Sequence, residues 1–481
     1  MKNRKALALF AILALVAAAC GGTADEVVEE EVVETTEAPA TTAAPTTTAA
    51  PAADPLVLAS LMPLSGDLAS LGPGIALGAT LAVEQINAAG GINGQPVQLI
   101  EGDSGCDGAV ALTSLNDVIA QGAQGVMGAA CSGTSLAILD TAIAAEVVMV
   151  SPSNTSPQFT KMDKKGFYAR TAPSDLLQGE VLASLIAEDG VSTISIISRA
   201  DSYGRGLAEA TAAAFEAAGG TVKTIVYHAT DATEFSSEVT AVGKGAPEAI
   251  VGILFPETGC GVLQPAFEQG LLDTPWYMTD GVKDAGLNSA CGLGSALDGM
   301  KGTAPGSAAG AAKDAFEAAY ATVSADGSPT FIFAPQAYDA VMLMAISAAA
   351  NGVTGPEIAS GLVEASSGGT KCIGAECIAL AAAGEDVDYV GASGEVELDK
   401  SGDPTASTYD IWTTEGDTNP VLKSVDFGSL FFNRIKKRPV FTGLFFIVFL
   451  NTNLQLLDRL EVLLLHLDTH FYLDLAHSPD Y

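Results

Sequence analysis

From position 55 to about position 427 the chain alternates short, continuous apolar runs with longer stretches of small apolar residues at helical spacing. The apolar runs predict strands over 56–62, 96–102, 125–130, 147–151, 193–198, 221–228, 249–255 and 275–279. The Ala-rich stretches between them predict helices such as 75–88, 109–121, 207–217 and 262–269. Strands that are apolar on both faces, with helices between, belong to parallel sheets covered on both sides. A body of about 370 residues exceeds what one hydrophobic core organises. The expected fold class is therefore α/β, with two lobes, each a doubly wound parallel sheet.

Both ends depart from this pattern. Lys2, Arg4 and Lys5 precede an apolar run, 6–16, that is too short to span a bilayer. Ala17-Ala18-Ala19 then leads to Cys20 and Gly21. A small-residue cleavage site directly before Cys resembles the lipobox of a bacterial lipoprotein, although Ala17 stands where that pattern usually has Leu. The resemblance implies a signal peptide over 1–20, lipidation at Cys20 and anchoring on the outer side of a membrane; the alternative is an ordinary signal peptide with an incidental Cys. Positions 21–54 are mostly Ala, Thr, Pro, Val and Glu, too polar to build a core, and are expected to form a disordered tether with an end-to-end distance of about 30 Å or more. After position 427 alanine almost vanishes, and Phe and His are concentrated. Residues 428–481 read as an atypical tail, either a non-native extension or a membrane-associating appendage. Its apolar run 440–450 is about half the length needed to cross a bilayer.

Charge and cysteine narrow the function classes. A net charge of −35 argues against nucleic acid, whose phosphates require clustered Lys and Arg. Setting Cys20 aside, six of the seven cysteines remain in a chain expected to be exported, where disulfides persist. Cys106 and Cys131 each follow a predicted strand, and two consecutive parallel strands would bring those ends together. The expected pairs are Cys106–Cys131, Cys260–Cys291 and Cys372–Cys377. No paired CxxC has zinc spacing, so no metal is expected.

Several segments carry a family resemblance when taken in order. Pro63-Leu64-Ser65-Gly66 with Gly72 and Gly74, the run Asn87-Ala88-Ala89-Gly90-Gly91-Ile92-Asn93-Gly94, Cys131-Ser132-Gly133-Thr134-Ser135, Ser151-Pro152-Ser153-Asn154-Thr155, and Tyr203-Gly204 after Ser198-Arg199 resemble the type I periplasmic-binding fold. Within it they are similar to the Leu/Ile/Val-type receptors of ABC importers. The resemblance implies three chain crossings between the lobes, near 172–175, 303–306 and 389–393. Lobe 1 would then hold 55–173 and 304–390, and lobe 2 would hold 174–303 and 391–427.

The candidate site lies where such sheets bind ligands, beyond the carboxyl ends of the strands. Ser132 ends a strand and opens a helix, whose free N–H groups and positive dipole end suit an anion. The loop 151–155 brings hydroxyls and amides to the same edge. The resemblance assigns ligand-carboxylate contacts to Ser132 and Thr155, and backbone contacts to Ser153 and Asn154; ordinary capping and turn chemistry is the alternative. Asp280 follows a strand and precedes Gly281. By resemblance it stands where the receptors bind an ammonium, usually with Glu; the alternative is a solvated turn residue. Tyr203 corresponds to an aromatic that covers the ligand from the second lobe. Leu71 is a wall position, and a further one falls on Leu254 or Phe255, with core packing as the alternative for Phe255.

Enzyme signatures do not emerge. The body holds a single histidine, His228, without a nearby nucleophile motif, and no GxSxG elbow, HExxH pair or P-loop occurs. No cofactor is expected. The function implied is an extracytoplasmic receptor that closes its lobes on a small amino acid and presents it to the membrane subunits of an importer. Receptors for short amides, urea or aromatic acids, and a sensory ligand-binding role, are the alternatives.

Overall fold

The computed structural model describes residues 54–325, 327–328 and 331–427. Cys20, the expected signal peptide and tether, and the atypical tail lie outside the described residues.

Ten strands form the first two-thirds of this body: Val57–Met62 (β1), Gln98–Asp103 (β2), Gly125–Gly128 (β3), Val148–Ser151 (β4), Tyr168–Arg170 (β5), Thr193–Arg199 (β6), Thr221–His228 (β7), Ala249–Ile253 (β8), Trp276–Met278 (β9) and Lys301–Pro305 (β10). Five more follow: Thr370–Cys372 (β11), Val387–Gly391 (β12), Gly394–Glu395 (β13), Ser407–Thr413 (β14) and Val421–Phe427 (β15). The first lobe is built on a parallel sheet in the order β2-β1-β3-β4-β5. The second is built on the order β15-β14-β10-β9-β8-β6-β7, parallel from β10 to β7, with β14 and β15 added antiparallel. A small third sheet, β11-β12-β13, completes the described strands.

The central strands are buried along their whole length, as their unbroken apolar sequences require: every residue of β1, β3, β4 and β8 is buried. The helix Ala334–Asn351 is buried over Ala334 to Ala348 and crosses the helix Gly72–Ala88. The crossing depends on Gly78, where a Cβ would collide with the Ala334 carbonyl oxygen. The helix Ser202–Ala217 begins more than a turn before the expected 207, because Asp201 caps it, accepting from Gly204 N at 2.8 Å.

The chain first passes between lobes after β5, and next after β10, whose Pro305 still pairs with β14. Thr171 Oγ1 donates to Gln336 O at 2.7 Å and Gln336 Nε2 to Gly306 O at 3.1 Å, which ties these two passages together. The third passage differs from the expectation of 389–393. There Asp339 accepts from the Ala392 and Ser393 amides at 2.7 and 2.8 Å, so the chain turns back into β13 instead of leaving. Residues as far as Asp403 stay with the first lobe, and the next strand, β14, belongs to the second.

The anchor for that segment is Arg170. Its Nε and Nη2 donate to Asp403 Oδ1 and Oδ2 at 2.9 and 3.0 Å, Nη2 also to Thr160 Oγ1, and Nη1 to Asn154 O and Ser156 O, each at 3.0 Å. A planar guanidinium is thereby saturated while fully buried. Burial alone would raise the Asp403 carboxyl, but the Arg170 charge and hydrogen bonds hold it below its usual value.

The disulfides are Cys106–Cys131, Cys260–Cys291 and Cys372–Cys377, with Cα separations of 5.5, 4.9 and 5.3 Å. The first does not join neighbouring strands: β1 lies between β2 and β3, so the bridge spans the carboxyl end of β1.

Substituting Asp403→Ala leaves Arg170 buried without its partner and should cost about 3–5 kcal/mol in thermal or urea unfolding. A folded pKa depressed below the unfolded value means that the pair stabilises above the ordinary carboxylate range. That contribution is lost as pH falls through the folded value, so wild type and variant should converge in acid. A loss under about 1 kcal/mol at neutral pH would refute the assignment.

Candidate functional site

The carboxyl ends of β1, β3 and β4 face those of β6, β8 and β9, and a cavity lies between them. From the first lobe it is lined by Leu68, Leu71, Ile75, Ala130, Cys131, Ser132, Ser153 and Phe333, and from the second by Tyr203, Phe255, Asp280 and Gly281. Six of the residues expected to form the site therefore share one cavity: Leu71, Ser132, Ser153, Tyr203, Phe255 and Asp280.

On the first-lobe side, Ser132 opens the helix Ser132–Ala144, and Cys131 and Ser132 at its start line the cavity. Ser132 Oγ accepts from the Ser156 amide at 3.4 Å, and Ser153 Oγ donates to Ala130 O at 3.1 Å. These bonds lash the β3 loop to the β4 loop. The remainder of this side is apolar.

Asn154 and Thr155 are placed differently from the expectation and do not line the cavity. Ser151 Oγ accepts from the Ser153 and Asn154 amides at 3.4 and 3.1 Å and turns the chain inward. Asn154 then donates to Ala129 O and Ala130 O at 3.0 and 2.8 Å and accepts from Tyr168 OH at 3.0 Å. Thr155 is fully buried at the first inter-lobe passage, and its carbonyl accepts from Asp175 N at 2.8 Å. Both residues brace the site from behind. Leu254 is also core, so the wall position falls on Phe255.

On the second-lobe side, Tyr203 and Phe255 stack with ring centroids 5.4 Å apart and planes 13° from parallel. Tyr203 OH lies 2.9 Å from Thr279 Oγ1 and donates to Asp280 Oδ1 at 3.0 Å; Gln178 Nε2 donates to the same oxygen at 2.7 Å. These partners are neutral. Burial therefore dominates and pushes the Asp280 carboxyl up to about 6, with the hydrogen bonds from Gln178 and Tyr203 holding it down in part. Its buried neighbour Asp175 is raised well above the usual carboxylate range, first by burial and then by the Asp280 charge.

Six lining residues lie outside the expected set: Leu68, Ile75, Ala130, Cys131, Gly281 and Phe333. Leu68 (φ +62°) and Phe333 (φ +60°) hold left-handed backbone, which bulky side chains rarely adopt, and both present those side chains to the cavity. Nothing in their neighbours announces this. Gly281 did carry a signal, the Asp-Gly pair after a strand: a Cβ there would strike the Leu254 carbonyl oxygen. Ile75 is hidden among the apolar positions of its helix.

An arrangement with helix-terminal amides on one wall, an uncompensated carboxylate on the other and apolar side chains between suits a small zwitterion with an aliphatic group. The chain and its fold are similar to those of known proteins. The chain is 30% identical over 313 residues to a leucine-, isoleucine-, valine-, threonine- and alanine-binding protein of Pseudomonas aeruginosa, covering 63% of this chain and 80% of that protein. Its fold is similar to that of a leucine binding protein from Thermotoga maritima, with a TM-score of 0.66 at 20% identity, covering 77% of this chain and 98% of the other. A branched-chain amino acid transporter substrate binding protein from Streptococcus pneumoniae, solved with isoleucine, gives a TM-score of 0.65 at 22% identity, covering 78% and 99%. The family profile described as periplasmic binding protein matches residues 55–398. The chain belongs to the periplasmic binding protein family, a family of substrate-binding proteins.

Proposed function

We propose that this protein is the extracytoplasmic receptor of an importer and closes its two lobes on a small aliphatic α-amino acid. The observation that carries the reading is Asp280, a carboxylate buried in the cavity wall with only neutral partners, opposite the N-terminus of the helix Ser132–Ala144. A buried charge without a counter-charge is costly, and a ligand ammonium removes that cost while its carboxylate takes the helix-terminal amides. Leu68, Leu71, Ile75 and Phe255 then surround the side chain. Asp is one methylene shorter than the Glu usual in such receptors, so the ammonium is drawn deeper toward Tyr203 and Gln178.

The site binds and does not transform. The body's single histidine, His228, contacts its neighbour's Ala229 O through Nδ1 at 3.0 Å, packs edge-on against Phe235, and does not line the cavity. Contacts to both lobes exist together only when the lobes meet, so ligand shifts the population toward closure, and a membrane subunit reads the closed shape. The N-terminal sequence supports attachment through a lipidated Cys20 on the outer face of the membrane.

Asp280→Asn keeps the shape but removes the charge, and should weaken L-leucine binding about 100-fold or more by calorimetry. The pH dependence follows from the same group. Ammonium pairs with the charged form, which is complete above pH 7 and lost below about 6, so wild-type affinity should be flat at neutral pH and fall up to about tenfold per unit in acid. Asp280→Asn should lack that fall; an identical acid profile in both proteins would overturn the assignment. For the anchor, Cys20→Ser expressed in bacteria should lose metabolic palmitate labelling and appear in the soluble extracytoplasmic fraction. Unchanged membrane retention without label would remove lipidation from the account.

A further inference from the structure

The loop after β1 meets the second lobe through charged groups that ligand recognition does not use. Arg199, at the end of β6, donates from Nη2 to Asp67 Oδ2 at 2.7 Å, across the lobe boundary, and from Nε to Asp201 Oδ2 at 2.9 Å within its own lobe. Its guanidinium sits 4.0 Å from the centroid of the Phe255 ring. Next to Asp67, the Leu68 amide lies close enough to the Glu257 carboxyl of the second lobe to offset part of the burial that raises it. Leu68 is the cavity-lining residue with φ +62°. Arg199 is almost fully buried while Asp67 is 28% exposed, so the pair is partly desolvated yet reachable by water.

We propose that Asp67–Arg199 is a latch between the lobes, and that Arg199 is a positioning residue that couples closure to the aromatic wall of the site. When the lobes part, Arg199 loses Asp67 but keeps Asp201, so opening leaves no naked charge. Such a latch is weak enough to reverse. When the lobes meet, the pair draws Leu68 against the cavity and fixes the arginine over Phe255. Phe255 stacks on Tyr203, whose hydroxyl donates to Asp280. An unbroken line of contacts thus runs from the latch to the group that recognises ligand. The latch rests on the lobe-closure reading, but it does not depend on which solute binds.

The test uses Asp67→Asn, which preserves shape, and Asp67→Glu, which preserves charge. With L-leucine as probe, stopped-flow binding of Asp67→Asn should show dissociation accelerated about 5- to 30-fold and association changed by less than about threefold. Raising salt should accelerate wild-type dissociation and leave Asp67→Asn unaffected, Asp67→Glu should recover most of the difference, and the melting temperature of the ligand-free protein should stay unchanged. In parallel, small-angle scattering of ligand-free protein should show a larger radius of gyration for Asp67→Asn than for wild type. Equal dissociation rates and equal radii would overturn the latch while leaving the receptor reading intact. If L-leucine fails to bind wild type, that reading fails and the scattering comparison alone decides the latch.

Discussion

A carboxylate placed in an apolar wall with only neutral hydrogen-bond donors around it is the constraint on which the rest of this molecule turns. Asp280 is held by Tyr203 and Gln178, which fix its direction but leave its charge unbalanced. Its protein surroundings penalise that charge, as its raised pKa records. A protein retains such a residue at a cost to stability, and a cationic group supplied from outside offsets that cost. In the proposed reading, this unbalanced charge is the specificity element. The other wall complements it without a single Lys or Arg in the cavity lining, using amides that already exist at a helix start.

The architecture serves this arrangement by bringing the strand ends of two sheets to either side of the cavity. Three passages connect the lobes, and each is stitched by polar contacts instead of apolar packing alone: Thr171 and Gln336 join the first two, and Arg170 with Asp403 secures the approach to the third. Arg170 also holds the carbonyls of Asn154 and Ser156, so the clamp that fixes the passages also fixes the loop carrying Ser153. One buried guanidinium therefore links the approach to the third passage with the loop at the site.

The sequence made much of this legible, for identifiable reasons. Strands occur at all eight apolar runs; the central ones are buried on both faces and must be apolar throughout, whereas the edge strands β2 and β7 are only partly buried. Of the strands that escaped, β5 and β10 to β15, several are short, half-exposed or interrupted by Gly and Pro. Tyr168–Arg170 has three residues, Lys301–Pro305 contains Gly and Pro, and Val421–Phe427 is an antiparallel edge. The third passage was displaced because the turn at Ser393 has the local character of a crossing, and only Asp339, more than fifty residues earlier, keeps it in the first lobe. Residues at strand ends were readable as site candidates, yet the direction of Asn154 and Thr155 depends on Tyr168 and Asp175, which no local pattern reveals. Leu68 and Phe333 reach the cavity through left-handed backbone, a property invisible to periodicity.

The most direct measurement compares L-leucine with 4-methylpentanoate, the same molecule without its amino group, by calorimetry on the purified receptor at pH 7.5. Both offer the helix Ser132–Ala144 a carboxylate and the apolar wall a branched chain, and only the amino acid offers Asp280 a counter-charge. The account expects L-leucine to bind about 100-fold or more tightly than the acid. Equal affinities, or tighter binding of the acid, would contradict it.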